Sequence, residues 1–161
     1  MKRKTIQWGI IGLGSIANKF ATDLASVKDS QLVAVASRSQ QKADKFAFKY
    51  NSKKAYDSYE KLVKDSQVDA VYIATPHRFH KEHTLLCLQH KKAVLCEKPF
   101  AMNLQEVTEM IRVAKINNTL LMEALWTAFS PHFQYVKNNI KNKIIRGLLH
   151  SIQLRQMQNI I

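Results

Sequence analysis

Acidic side chains are scarce in this chain: 12 Asp and Glu stand against 25 Lys and Arg, giving a formal net charge of +13. Such a balance raises the question of a nucleic-acid partner, but the basic residues are dispersed. Lys42, Lys45 and Lys49 follow helical spacing, Lys61 and Lys64 fall on another helix, and Lys91-Lys92 mark a turn. That is the pattern of solvated helix faces. No helix-turn-helix, RNA-binding or zinc-finger signature accompanies them, so no nucleic-acid partner is expected. The charge instead helps to steer an anionic small ligand.

Other absences narrow the class further. Cys87 and Cys96 are the only cysteines, one in a leucine-rich helical stretch and one ending an apolar strand. Both read as small buried hydrophobes, with no structural disulfide; a redox role for Cys96, beside Lys98, is the alternative. No run of about 18 apolar residues occurs, so no membrane span is expected. The basic start, Met1-Lys2-Arg3-Lys4-Thr5, leads into a strand too short for a signal-peptide core, which points to the cytoplasm. With only 4 Gly and 3 Pro there is no low-complexity tract, repeat or long linker. The evenly spaced His77, His80 and His83 would walk around a helix by about 60° per step, with no Cys or acid cluster to complete a tetrahedron, so no metal is expected. What remains, 161 residues with 46% hydrophobic and 23% charged, suits one soluble domain with a real core, or one domain plus a fragment.

The glycines that are present are concentrated where they matter. Thr5 to Ile11 reads as a short apolar strand running directly into Gly12-Leu13-Gly14-Ser15-Ile16-Ala17. A helix follows, with Ile16, Phe20 and Leu24 as its apolar stripe. Strand, glycines and helix form the setting of a dinucleotide-binding turn. Gly12 permits the tight turn, Gly14 lets the backbone approach phosphate, and Ala17 lets the helix pack closely on the strand. The free N–H groups at the helix start, around Ser15 and Ile16, favour the pyrophosphate charge. A purely steric strand-to-helix turn is the alternative.

The second strand, Gln31 to Ala36, leads to the ribose end of such a ligand. NAD-selective sites place an acid about 20 residues after the motif. Here the neighbourhood is Ser37-Arg38-Ser39, without a carboxylate. A guanidinium can bind a 2′-phosphate through two parallel hydrogen bonds, and hydroxyls can donate to it, which favours NADP while leaving NAD possible. The alternative is a polar turn with an N-cap for the next helix.

The remaining pattern keeps alternating. Helix is expected over about Gln40 to Tyr50, strand at Lys54-Ala55-Tyr56, a capped helix after Asp57, strand Val68 to Ala74 and helix Arg78 to His90. Strand Ala93 to Cys96 follows, then an amphipathic helix Asn103 to Asn117 with Leu104, Val107, Ile111 and Ala114 on one stripe, then strand Thr119 to Met122. This predicts an α/β fold with a doubly wound parallel sheet, a Rossmann NAD(P)-binding domain over residues 1–123. The loop Thr75-Pro76-His77 then falls at the carboxyl edge of the sheet, where ligands bind in open α/β folds.

The motifs Gly12 to Ala17, Ala36-Ser37-Arg38-Ser39, Thr75-Pro76-His77-Arg78-Phe79-His80, Glu97-Lys98-Pro99-Phe100-Ala101 and Met122-Glu123-Ala124-Leu125-Trp126 occur in that order. The series resembles the glucose–fructose oxidoreductase / inositol dehydrogenase (Gfo/Idh/MocA) family, nearest its dihydrodiol dehydrogenase and NADP-dependent xylose dehydrogenase branch. The match covers nearly the whole chain to about residue 150. The resemblance implies hydride transfer between NADP and a secondary alcohol of a sugar, cyclitol or cyclic diol. It marks Lys98 as the catalytic residue, able to hydrogen-bond the reacting oxygen. It gives Glu97 the role of orienting the nicotinamide ribose or Lys98, and implies a cis bond before Pro99. Thr75, Pro76 and His80 fall where relatives line the nicotinamide, and Trp126 where they form a substrate wall; a solvated lysine at a strand end is the alternative for Lys98, and core packing that for Trp126. Ala128 stands where many close relatives carry an arginine.

Relatives run to about twice this length, with an α+β second domain that supplies most of the substrate pocket and usually the interface of a homo-oligomer. Residues 124–161 are expected to form a connecting helix, Pro131 to Ile145, and the first strand of that domain, Gly147 to Leu154. The chain then reads as a truncated amino-terminal portion, expected to bind dinucleotide and to turn over poorly alone. A non-catalytic dinucleotide-binding or interaction module, and a gene remnant, are the alternatives.

Overall fold

β1 (Ile6–Ile11) enters the middle of the fold and stops at Gly12, where the chain turns into α1 (Ser15–Leu24). The computed structural model describes residues 5–141. The alternation continues through β2 (Ser30–Ala36), α2 (Gln40–Lys49), β3 (Lys54–Tyr56), α3 (Tyr59–Lys64), β4 (Ala70–Ile73), α4 (His80–Gln89), β5 (Ala93–Cys96), α5 (Leu104–Ile116) and β6 (Leu121–Glu123). The strands form one six-stranded parallel sheet in the order β3-β2-β1-β4-β5-β6. This is the doubly wound Rossmann arrangement that the sequence pattern predicts. β4 is buried at every residue, because helices cover both faces of a parallel sheet, and its sequence is accordingly a continuous apolar run.

Register places the ligand edge. Ile11 sits beside Ala36 on one side and Ile73 on the other, and Ile73 sits beside Cys96. The segments following β1, β2, β4 and β5 therefore all emerge at one edge of the sheet. The strand order reverses at β1, where connections leave toward opposite faces and open a crevice.

Side chains alternate between two apolar layers. Ile10, Val35 and Tyr72 lie with Ala17, Ala21 and Leu24 of α1 and Phe46 of α2 in one layer. Ile11, Val71, Ile73 and Cys96 lie with Leu62, Leu88 and Ala114 in the other. Two expected helix stripes hold only in part: Leu24 and Ala114 are buried as expected, and the packing turns the rest. α1 buries Ala17, Ala21 and Leu24, while Ile16 is exposed. α5 buries Met110 and Ala114, leaving Leu104 80% exposed. Apart from Leu24, the residues that these helices bury are small or unbranched. Caps set the helix starts: Ser39, Ser58 and Asn103 accept from the amides of Lys42, Lys61 and Glu106. α4 begins at His80, after a 3-10 turn at His77–Phe79, so the three spaced histidines do not share one regular helix.

The fold divides into two compact units after Ala124. In the second, a 3-10 turn at Trp126–Phe129 precedes α6 (Pro131–Lys141). The Ser130 hydroxyl accepts from the Phe133 amide at 3.2 Å, and Pro131 occupies the first helical position, where its missing N–H costs nothing. The rest of the expected connecting helix and the strand Gly147 to Leu154 lie outside the described residues.

Candidate functional site

Gly12 has φ +84°, and a Cβ there would meet the Ala74 carbonyl carbon and oxygen at 2.8 Å each. Only glycine fits both the conformation and the space, so β1 and the segment after β4 come into backbone contact. Gly14 is different: a Cβ built on it would meet nothing within 4 Å. The open space above it is the cleft. Gly14 caps α1 without a side-chain acceptor, and the first turn of α1 carries no acid. The helix start therefore offers N–H groups and a positive dipole end with no acid in its own first turn to meet them.

The end of β2 divides the two readings of Ser37-Arg38-Ser39 between residues. Ser39 is the N-cap of α2, accepting from the Lys42 amide at 3.4 Å. Ser37 is buried and ties back through its own amide to Tyr56 O at 3.0 Å. Ser37 and the exposed Arg38 both line the cleft, and Lys42, one turn into α2, joins them.

The ends of β4 and β5 close the other side. Thr75 is buried, and its hydroxyl lies 3.0 Å from Nδ1 of His83, whose burial holds the ring below the ordinary histidine range. His80 is fully buried, with Nε2 2.8 Å from Thr75 O and Nδ1 2.8 Å from Pro99 O. Glu97 is 9% exposed. Its Oε1 accepts from the Tyr72 hydroxyl and its Oε2 from the Lys98 amide at 3.1 Å. Burial, and then the Glu97 carboxylate, push the Tyr72 phenol far above its usual range. The Lys98–Pro99 peptide is cis. The Lys98 side chain is exposed along the cleft, and its ammonium meets no acid among the described residues.

Together these segments enclose a cleft of about 590 Å³. Gly12, Gly14, Ser15, Ile16, Ser37, Arg38, Thr75, Pro76, His80, Glu97 and Lys98 all line it. Ala17 does not: it is fully buried against the sheet, where its small size brings α1 close. Trp126 belongs to the second unit and is 68% exposed. Lys42 and Tyr59 also line the cleft and carry no distinguishing signal in the sequence, since lysines at helical spacing and a tyrosine after a Ser cap are common. The redox alternative for Cys96 fails on chemistry. The thiol is fully buried and pushed up to about 12 by that burial, so almost no thiolate forms near neutral pH.

Residues 6–125 match the model of an oxidoreductase family with an NAD-binding Rossmann fold, GFO_IDH_MocA. The chain is 48% identical over 155 residues to mouse trans-1,2-dihydrobenzene-1,2-diol dehydrogenase, a match that covers 95% of this chain and 45% of that protein. It is 44% identical over 135 residues to the scyllo-inositol 2-dehydrogenase (NADP(+)) IolU of Bacillus subtilis, covering 84% of this chain and 41% of that one. Among solved structures, the 3-ketoreductase KijD10 of Actinomadura kijaniata, in complex with TDP-benzene and NADP, superposes with a TM-score of 0.81 at 27% identity, over 86% of this chain and 44% of that one. The chain thus spans less than half the length of these relatives.

Proposed function

This chain belongs to the GFO_IDH_MocA oxidoreductase family, and from that premise we propose that its cleft binds a nicotinamide dinucleotide, NADP in preference to NAD, with Lys98 as the catalytic residue. The observation that carries the reading is the cleft itself, which joins the glycine turn, the Arg38 corner and Lys98 in one continuous wall. The residues fit the cofactor. The open space at Gly14 and the start of α1, whose first turn carries no acid, suit a pyrophosphate. Ser37, Arg38 and Lys42 face a 2′-phosphate, and among the described residues the only carboxylate lining this cleft is that of Glu97, beside Lys98.

When bound, a nicotinamide ring supplies the hydride-transfer chemistry. The protein's part is positioning and charge. Thr75, Pro76 and His80 wall the end of the cleft where Glu97 and Lys98 lie. The Lys98 ammonium, free of any protein acid among the described residues, is available to hydrogen-bond an alcohol or carbonyl oxygen and to stabilise negative charge developing there. Substrates of this class are secondary alcohols on sugars, cyclitols or cyclic diols. Support comes from relatives named as acting on a dihydrodiol and on scyllo-inositol. Trp126 is assigned to the substrate side.

The test is a titration of the purified chain with NADPH and NADH, followed by nicotinamide fluorescence. Saturable binding with NADPH preferred is the expected result. No binding of either cofactor by folded protein would overturn the reading.

A further inference from the structure

Tyr72 and Glu97 lie 25 residues apart in sequence and are joined by a buried hydrogen bond. Sheet geometry brings this about. Tyr72 pairs with Leu95 across the β4–β5 ladder, and alternation then carries Glu97 to the same face as both. Tyr72 is 2% exposed and lies flat on Phe20 of α1, with ring centroids 3.9 Å apart and planes 13° apart. Trp8 closes the edge of Phe20 at 5.4 Å. This packing fixes the direction of the phenol, which points at Glu97 Oε1. The Lys98 amide takes Oε2 at 3.1 Å. An ionised carboxylate offers about four acceptor positions, and these bonds use two of them. Glu97 also lines the cleft beside Lys98, so its remaining acceptor capacity has a cavity to face.

We propose that Tyr72 is a positioning residue for the cofactor: it holds Glu97 so that the free side of the carboxylate accepts from the ribose hydroxyls at the nicotinamide end of a bound dinucleotide. The inference rests on the dinucleotide reading above. It assigns a ligand-related task to a tyrosine that touches no ligand. Phe20 belongs to the helix whose start receives the pyrophosphate, so one aromatic contact connects the phosphate end of the cleft to the Glu97-Lys98 end.

The experiment compares two ligands on the full chain. NADPH spans the whole cleft, whereas 2′,5′-ADP carries the adenosine half and lacks the nicotinamide ribose. Tyr72→Phe is expected to weaken NADPH about tenfold while leaving 2′,5′-ADP within about twofold, as loss of a hydrogen bond to a charged acceptor implies. In a Glu97→Gln background the same Tyr72→Phe change is expected to have no further effect on NADPH. Where Tyr72→Phe alone does not fold, the double variant, which buries no carboxylate, is compared with Glu97→Gln, and equal NADPH affinities are expected. Parallel weakening of both ligands, unchanged NADPH affinity, or unequal affinities in the Glu97→Gln background would overturn the positioning role alone. Wild-type protein that binds neither ligand would overturn the dinucleotide reading, and this inference with it.

Discussion

Nδ1 of His80 lies 2.8 Å from the carbonyl oxygen of Pro99, fastening the start of α4 to the loop that carries Lys98. The opposite ring nitrogen lies 2.8 Å from Thr75 O, so a single buried ring bridges the loops after β4 and β5. Both partners are carbonyls, which only accept. His80→Phe would fill the space and remove the ring N–H that these carbonyls accept from. The expected cost is about 1–3 kcal/mol for a carbonyl left without its donor. Urea unfolding should show a lower midpoint with an unchanged slope. NADPH binding should weaken as well, because the Lys98 loop loses its tether.

The two glycines of the turn make opposite predictions. Gly12→Ala forces an L-residue to φ +84° and drives its methyl against the Ala74 backbone at 2.8 Å. The conformational part alone costs about 1–2 kcal/mol, and the clash adds to it, so a marked fall in Tm is expected. Gly14→Ala meets nothing, and φ −87° suits alanine. Its Tm should barely move, while its dinucleotide affinity falls because the methyl occupies the approach to phosphate. Thermal melts beside cofactor titrations check both. A Gly14→Ala variant that binds as wild type would argue that no phosphate passes over that position.

Arg38 and Lys42 both line the cleft from exposed positions, so their replacement should leave folding intact. Arg38→Ala is expected to weaken NADPH by about tenfold or more, the usual cost of a charge-assisted hydrogen bond, and to leave NADH nearly unchanged. Lys42→Ala should cost NADPH less, about threefold, and that loss should shrink with added salt, since a flexible exposed ammonium acts as a screened point charge. Equal losses for NADH and NADPH would place the arginine elsewhere than at a 2′-phosphate.

Much of this cleft is legible in the sequence because parallel strands buried on both faces appear as plain apolar runs, and because Gly12 and Gly14 sit between such a run and a helix. Lys98 is legible for the same reason: it follows β5 by two residues, and strand ends define the ligand edge. Register is not legible. Only the pairing of Tyr72 with Leu95 reveals that Glu97 lies over the tyrosine. Lys42 is hidden because its spacing matches that of Lys45 and Lys49, and nothing local says which lysine faces the cleft. Hydropathy misplaces the stripes of α1 and α5 because it favours Ile16 and Leu104 over the smaller or more flexible Ala17, Ala21 and Met110. The sheet selects the latter, since a close helix approach admits little volume.

Away from the cleft, the Asp65 carboxylate, 9% exposed, joins β3 to the end of α3 and carries the clearest pH signature. Both its oxygens accept from Lys54 Nζ at 2.9 Å, with Tyr56 OH at 3.1 Å and the Gln67 amide at 3.0 Å. Burial pushes the carboxyl up, but the Lys54, Gln67 and Tyr56 hydrogen bonds outweigh it and hold the group below the usual carboxylate range. A depressed carboxylate stabilises the fold fully above its unfolded value of about 3.9, and that stability is lost as pH falls through the lower folded value. Lys54 is raised by its hydrogen bond to Asp65, so its share persists until pH rises past the ordinary lysine range. Asp65→Asn should therefore cost about 1–3 kcal/mol at pH 7, where an ionised acceptor is replaced by a neutral one. The penalty should hold down to about pH 5 and shrink below about pH 4, as the wild-type carboxylate is itself neutralised. Urea midpoints of both proteins across that range decide the matter. A penalty that stayed constant into strong acid would mean that Asp65 contributes by shape and neutral hydrogen bonding, and that its charge adds nothing.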